Sequence, residues 1–306
     1  MKFGVREIAN VVFRAKSAVK IGNTEFKVGQ PVLYIDSAKT STLEGAATTV
    51  YAQGGRGNTR LIAWEGEKTL TFTVEDALLS PMGFSILSGA GLIKNAEDTV
   101  HVHMTTTAYV GTNGQVDLKD ALGKATIDQT APLFVMELDG SGALTGVMDE
   151  GATVTGTKIT CGKLKSKSVL VDYYVTKTGS TVSEIQIDAE NFAGYYYVEA
   201  DTLFRRQDNG VDMPANITLP NVKIQSNFTF SMASTGDPST FTFTMDAFPG
   251  YTYFDSTKKV LCVIQIVEDA EGSTTVWNSA MGHAEGEIKD VDGDAKADTD
   301  SLTAVG

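Results

Sequence analysis

The sequence predicts a mostly β protein: an antiparallel sandwich or barrel with one short helix and an inserted small β-domain. Three observations carry that reading. From Leu219 to Pro249, Val222, Ile224, Phe228, Phe230 and Met232 share one parity, with Lys223, Gln225, Asn227, Thr229 and Ser231 on the other. After Ala233 to Ser239 the alternation resumes with Phe241, Phe243 and Met245 against Thr240, Thr242, Thr244 and Asp246. Side chains alternate faces along a strand, so these runs predict an antiparallel hairpin with one wet face. The second observation is punctuation, because turn residues separate short runs of β-formers along most of the chain. The third is a single clear change of period, after Glu75. A lone hairpin buries too little to be stable, so the rest of the chain has to cover its Phe/Met face.

Taken in order, Asn10 to Phe13 and Pro31 to Ile35 are short apolar runs separated by turn residues, and read as strand, turn, strand. Residues 37–60 are polar and rich in Gly and Thr, which predicts a long loop with one strand around Thr48 to Ala52. Lys68 to Val74 alternates strictly, Leu70, Phe72 and Val74 against Thr69, Thr71 and Thr73. Then Ser80 supplies an N-cap, Pro81 suits the first helical position, and Gly89 can take the left-handed conformation that ends a helix. Met82 with Ile86 and Phe84 with Leu87 form its apolar face.

The texture changes near Asn95. Strand candidates follow at Leu133 to Leu138, Val154 to Cys161, Val169 to Thr176, Val182 to Ile187 and Tyr195 to Ala200, spaced by Gly-rich turns. Strands of the first type resume at Leu203 and Phe204. Residues 100–200 therefore read as an inserted β-sandwich-like domain in a core of 1–99 and 201–283. Lys259 to Glu268 is nearly all apolar and predicts a strand buried on both faces. Residues 284–306, acidic and almost without large apolar side chains, read as a flexible or partner-ordered tail.

The 42% apolar content suffices for a real core. No window approaches the length of a bilayer span, and the first residues lack the pattern of a secretory signal, so synthesis in a cytoplasm without a membrane partner is expected. Cys161 and Cys262 are far apart, match no metal spacing, and read as reduced thiols. A net charge of −13 argues against wrapping nucleic acid or an anionic membrane, since phosphate neutralisation needs clustered Lys and Arg. It is compatible with DNA sliding past without sticking.

No motif carries chemistry. The cluster Gly54, Gly55, Arg56, Gly57, Asn58 lacks the Lys and the strand-to-helix setting of a phosphate loop, and reads as tight turns or close subunit contact. His101 and His103 would face one side of a strand, but His283 is remote and nothing completes a metal site. Asp290, Asp292 and Asp294 have the first spacings of a calcium loop, yet Ala295 and Ser301 stand where Gly and Glu are needed, so a solvated acidic tail is the reading. Tyr173-Tyr174 and Tyr195 to Tyr197 read as cross-strand packing pairs. No cofactor, metal or enzymatic activity is expected. Paired carboxylates of a glycan hydrolase sit in no recognisable motif.

Two blocks, Tyr51 to Leu92 (with GRGNTRLIAWEGEKTLTFTVEDALLSPMGFSILSGAG) and Tyr195 to Pro249 (with YYYVEADTLFRR and the hairpin), resemble major tail tube proteins of tailed bacteriophages infecting Gram-positive hosts. The resemblance implies a tail-tube-type sandwich or barrel flanked by one helix. It implies a virion protein made in the host bacterial cytoplasm, whose hexameric rings stack into a tube that conducts DNA. The implied partners are further copies of itself, other tail proteins (sheath, baseplate or tail terminator), and phage DNA passing without specific binding. The expected subunit contacts are Gly54, Gly55, Arg56, Gly57, Asn58 and Arg60 of the loop, with Phe228, Phe230, Phe241 and Phe243 of the hairpin. The inserted domain, which compact tube proteins lack, would have to project outward. The competing reading is a capsid decoration or receptor-binding module, motivated by that domain and its tyrosines. Under the conduit reading, acids should outnumber bases on the channel wall. The hairpin contributes few of them, since Lys223 opposes Asp246.

Overall fold

A computed structural model describes residues 2–5, 7, 9–93, 97–123, 125–208, 210–229 and 240–268. The chain is mostly β, in several antiparallel sheets, and forms two compact units. The first comprises the described residues of Met1–Ile21, Glu25–Ala90 and Ile187–Gly306; the second those of Gly22–Thr24 and Gly91–Gln186. The sequence placed the insertion at 100–200, whereas these bounds put the Tyr195–Arg206 strand in the middle of the first unit's sheet.

That large sheet runs in the order Pro31–Ile35, Asn10–Ala15, Tyr195–Arg206, Asp212–Ile224, Phe241–Ala247, Thr59–Asp76, Ala38–Gly54. Phe3–Val5 adds to the Tyr195–Arg206 strand and Val263–Ile266 to the Asp212–Ile224 strand. The order is open, but the sheet is folded over. Strands three places apart in a flat sheet would lie about 14 Å apart, yet the rings of Phe13 and Phe243 are 5.9 Å apart. Strand alternation directs Val11, Phe13, Phe72, Val74, Val198, Val222, Ile224, Phe243 and Met245 into the space between, where all are buried.

The helix forms where the sequence places it, at Pro81–Ser88, with the Ser80 hydroxyl accepting the Gly83 N–H at 2.9 Å. Gly89 ends it at φ 74°, and a Cβ there would meet the backbone of Phe192 at 2.3 Å. Two independent reasons thus fix a glycine. Ser80→Ala is expected to cost about 1 kcal/mol, and Gly89→Ala more than that, because the backbone conformation and the contact both resist a methyl. Urea unfolding of the two variants side by side checks the order. Among the described residues there is a second short helix, Lys119–Leu122, that the sequence did not announce.

Three further expectations are corrected. Residues 37–60 are no loop: Ala38–Gly54 is one 17-residue strand. Its low apolar content reflects exposure, not irregularity. The hairpin pairs with Lys223 opposite Asp246, but its first strand ends at Ile224. Phe228 instead leaves the ladder and packs edge-on to Phe84 of the helix, centroids 4.9 Å apart; Phe230 and Met232 lie outside the described residues. Of Lys259 to Glu268 only Val263–Ile266 is a strand, and Ile264 is 51% exposed, because no described residue covers that strand's face.

The second unit packs the strands Thr99–Tyr109, Ser168–Thr178, Phe134–Leu138 and Leu144–Met148, with Thr126–Ile127 alongside, over its own core. Val135, Ile159, Leu164, Val169, Val171, Tyr173 and Val175 form that core with Cys161. The single strand expected over Val154 to Cys161 is instead a tight hairpin, Thr153–Thr155 and Lys158–Thr160, turning at Gly156 with φ 63°.

Candidate assembly surface

Ala38–Gly54 and Thr59–Asp76 make a two-stranded arm that outgrows the sheet. At its base Phe72, Val74 and Asp76 are buried. From Gly45 to Thr69 every residue except the half-buried Ala52 and Gly54 is exposed. Cross-strand pairing puts Val50 opposite Trp64 and Ala52 opposite Ile62. Since these positions are two apart on each strand, all four share one face. Val50 is 63% exposed, Ile62 55% and Trp64 53%. Thr49, Tyr51, Ala63 and Glu65 form the opposite face, where the Arg60 guanidinium lies 4.0 Å above the Tyr51 ring. The arm therefore carries an apolar face in water. Thr48 accepts the Glu67 N–H at 2.9 Å at an irregularity in the ladder, which adds twist midway.

The predicted contact residues fall into two groups. Gly54, Gly55, Arg56, Gly57, Asn58 and Arg60 make the arm's apex, with positive φ at Gly55, Gly57 and Asn58 and the Asn58 N–H donating to Gly55 O at 3.2 Å. Arg56 is exposed there. The phenylalanines go elsewhere. Phe228 is 37% exposed beside the helix, and Phe241 is half-buried opposite Asp76. Phe243 is 1% exposed inside the protomer's core, so its side chain offers no surface to a neighbour. Phe230 lies outside the described residues. Val50, Ile62 and Trp64 were missed. Their only signal is two apolar pairs at period 2, too short to stand out among Gly, Ala and Thr.

The arm also forms one edge of the sheet, and Pro31–Ile35 the other. Edge strands carry unpaired N–H and C=O groups that invite another strand unless charge, proline or a cover blocks them. Ala38–Gly54 holds only Lys39 and Glu44 as charged residues and no proline. From Gly45 to Gly54 this edge carries neither a charged residue nor a proline.

A model of the YomU/Tube protein family matches residues 6–261. The chain belongs to this family. Its name points to a phage tube protein, structural instead of catalytic, and so to self-assembly and contact with other tail proteins in a virion tail. No curated protein matches the chain. Among the described residues of this tube-family subunit, no helix is long and apolar enough to cross a membrane.

His101 and His103 do share a face of the Thr99–Tyr109 strand, but each meets a different carboxylate: His101 Nδ1 lies 2.5 Å from Asp128 and His103 Nε2 3.0 Å from Asp172. No cluster of three metal-ligating side chains occurs among the described residues. The calcium-like Asp290, Asp292 and Asp294 lie outside them. Cys161 and Cys262 are unpaired, and burial pushes the Cys262 thiol up to about 11.

Asp128 carries a pH consequence. The hydroxyl and N–H of Thr130 donate to it at 2.7 and 2.8 Å, and these bonds, with His101, hold its carboxyl at about 2. A carboxyl depressed in the folded state stabilises it above the unfolded value near 4, and that contribution is lost as pH falls through about 2. Urea unfolding at pH 5 and pH 2.5 should show a smaller difference in Asp128→Asn than in the parent chain.

Proposed function

We propose that the chain is the subunit of a phage tail tube whose rings, hexameric by the family resemblance, stack into a conduit for DNA. The single observation that carries this is the arm. Its Val50, Ile62 and Trp64 face is apolar and wet, and it borders a 17-residue edge strand without proline. Exposed apolar surface contiguous with an open edge marks a protein contact, and strand addition between copies would continue the sheet around a ring. Family membership supports a second copy as the partner. The second unit, Gly91–Gln186 with Gly22–Thr24, is read as the insertion into a tube-type core. A Gram-positive host belongs to the same proposal and is supported by the resemblance alone. The net charge of −13 supports a wall that repels the DNA backbone. Within the roughly 8 Å reach of charge at physiological salt, those acids have to line the channel itself.

Negative-stain electron microscopy of the purified chain, and of virions labelled with an antibody to it, tests the proposal. Rings or tubes and labelling along the tail are expected. Label confined to capsids, or purified protein that stays monomeric, would overturn it.

A further inference from the structure

The first unit holds a second surface, built from residues outside the arm. The chain from Gly250 to Val260 is a loop closed by reciprocal backbone hydrogen bonds of 3.0 and 2.9 Å between those two residues. Gly250 lets it lie flat on the sheet, since a Cβ there would meet the Asn221 side chain at 2.9 Å. The Tyr253 ring rests on Tyr197, centroids 4.3 Å apart. Asp255 accepts the N–H and hydroxyl of Thr257 at 2.8 and 2.6 Å. The loop is thus held at its ends and its middle, yet it presents Phe254 at 96% exposure. An apolar ring on a pre-ordered loop costs little further ordering to bury, which is how interface anchors are built. Beside Phe254 a cavity of about 460 Å³ opens between loop and sheet. Its charged lining is Glu199, Asp201, Asp255 and Lys258. Arg14 pairs with Glu199 at 2.9 Å and Lys258 offsets one of Asp201 and Asp255, so the groove keeps one net negative charge.

We propose that the arm of one copy docks in this groove of a neighbouring copy, Arg56 entering beside Asp255 and the Val50, Ile62 and Trp64 face covering Phe254. The proposal rests on the self-assembly reading above. Three features of the arm fit the groove. Its apex carries Arg56 and Arg60 with no acid between residues 54 and 60, opposite in sign to the cavity. Its apolar face needs an apolar counterpart, which Phe254 supplies. Its reach suffices: about ten residues per strand stand clear of the sheet, and at about 3.4 Å per residue that spans roughly 30 Å, about the width of a small domain. The acidic lining also disfavours nucleic acid as the occupant.

Disulfide trapping on the full chain tests the contact. Thr59→Cys combined with Ser256→Cys alters two exposed side chains beside the contact and leaves Arg56, Asp255 and Phe254 in place. Mild oxidation of assembled protein should give a ladder of covalent oligomers on a non-reducing gel, while either single variant gives dimers at most. The native thiols interfere little, Cys161 being buried and Cys262 held protonated at neutral pH. As an independent arm, Arg56→Glu and Asp255→Lys should each reduce sedimenting assemblies at least tenfold with unchanged melting, and together restore them. If the parent chain assembles under the microscope but neither ladder nor rescue appears, the groove assignment falls and self-assembly stands. If the parent chain does not assemble, both fall.

Discussion

Trp64→Glu combined with Ile62→Glu abolishes assembly and leaves the subunit folded. Both side chains are more than half exposed and lie on the arm's apolar face, outside the buried core of the described residues. Burying a large apolar side chain contributes about 1.5–3 kcal/mol. Losing two from each contact therefore weakens association by at least on the order of a hundredfold. The added carboxylates deepen the loss, because they would have to be desolvated. Sedimentation velocity of the variant at concentrations where the parent forms rings or tubes should show one slow species with the parent's melting curve. Persistence of rings would mean that the arm's apolar face is not what joins the copies.

Phe243→Ala has the opposite signature. Phe243 is buried between Phe13 and the strands on either side of it, so truncation leaves a cavity and costs about 3–5 kcal/mol of stability. The urea midpoint should fall accordingly, while any protein that remains folded still assembles. A variant with parental stability and lost assembly would instead restore Phe243 to the subunit contact that the sequence suggests. Phe241, half-buried at the sheet's pairing with Asp76, should lose less on the same change.

These two substitutions mark the boundary between sequence and structure. Where a segment has one buried and one wet face, or a capped apolar turn, its own residues report it. Ser80, Pro81 and Gly89 gave the helix to the residue, because capping and left-handed backbone are local demands. Alternation around Val222 and Met245 gave a pairing in which Lys223 does oppose Asp246. The same residues do not say what covers the buried face. Parity made Phe241 and Phe243 equivalent, and only the folding of the sheet onto Phe13 separates a core ring from a half-exposed one. The arm is the opposite case. With both faces in water, Gly45 to Thr69 carries no burial period, so a continuous strand pair looked like a loop followed by a strand. Its ladder is held by backbone hydrogen bonds, which any sequence without proline can make. The sequence by itself determined a mostly β chain with one well-capped helix and no catalytic motif. Tertiary structure alone decided that Val50, Ile62 and Trp64, scattered over two strands, meet on one wet face, because register between strands is a property of the pair.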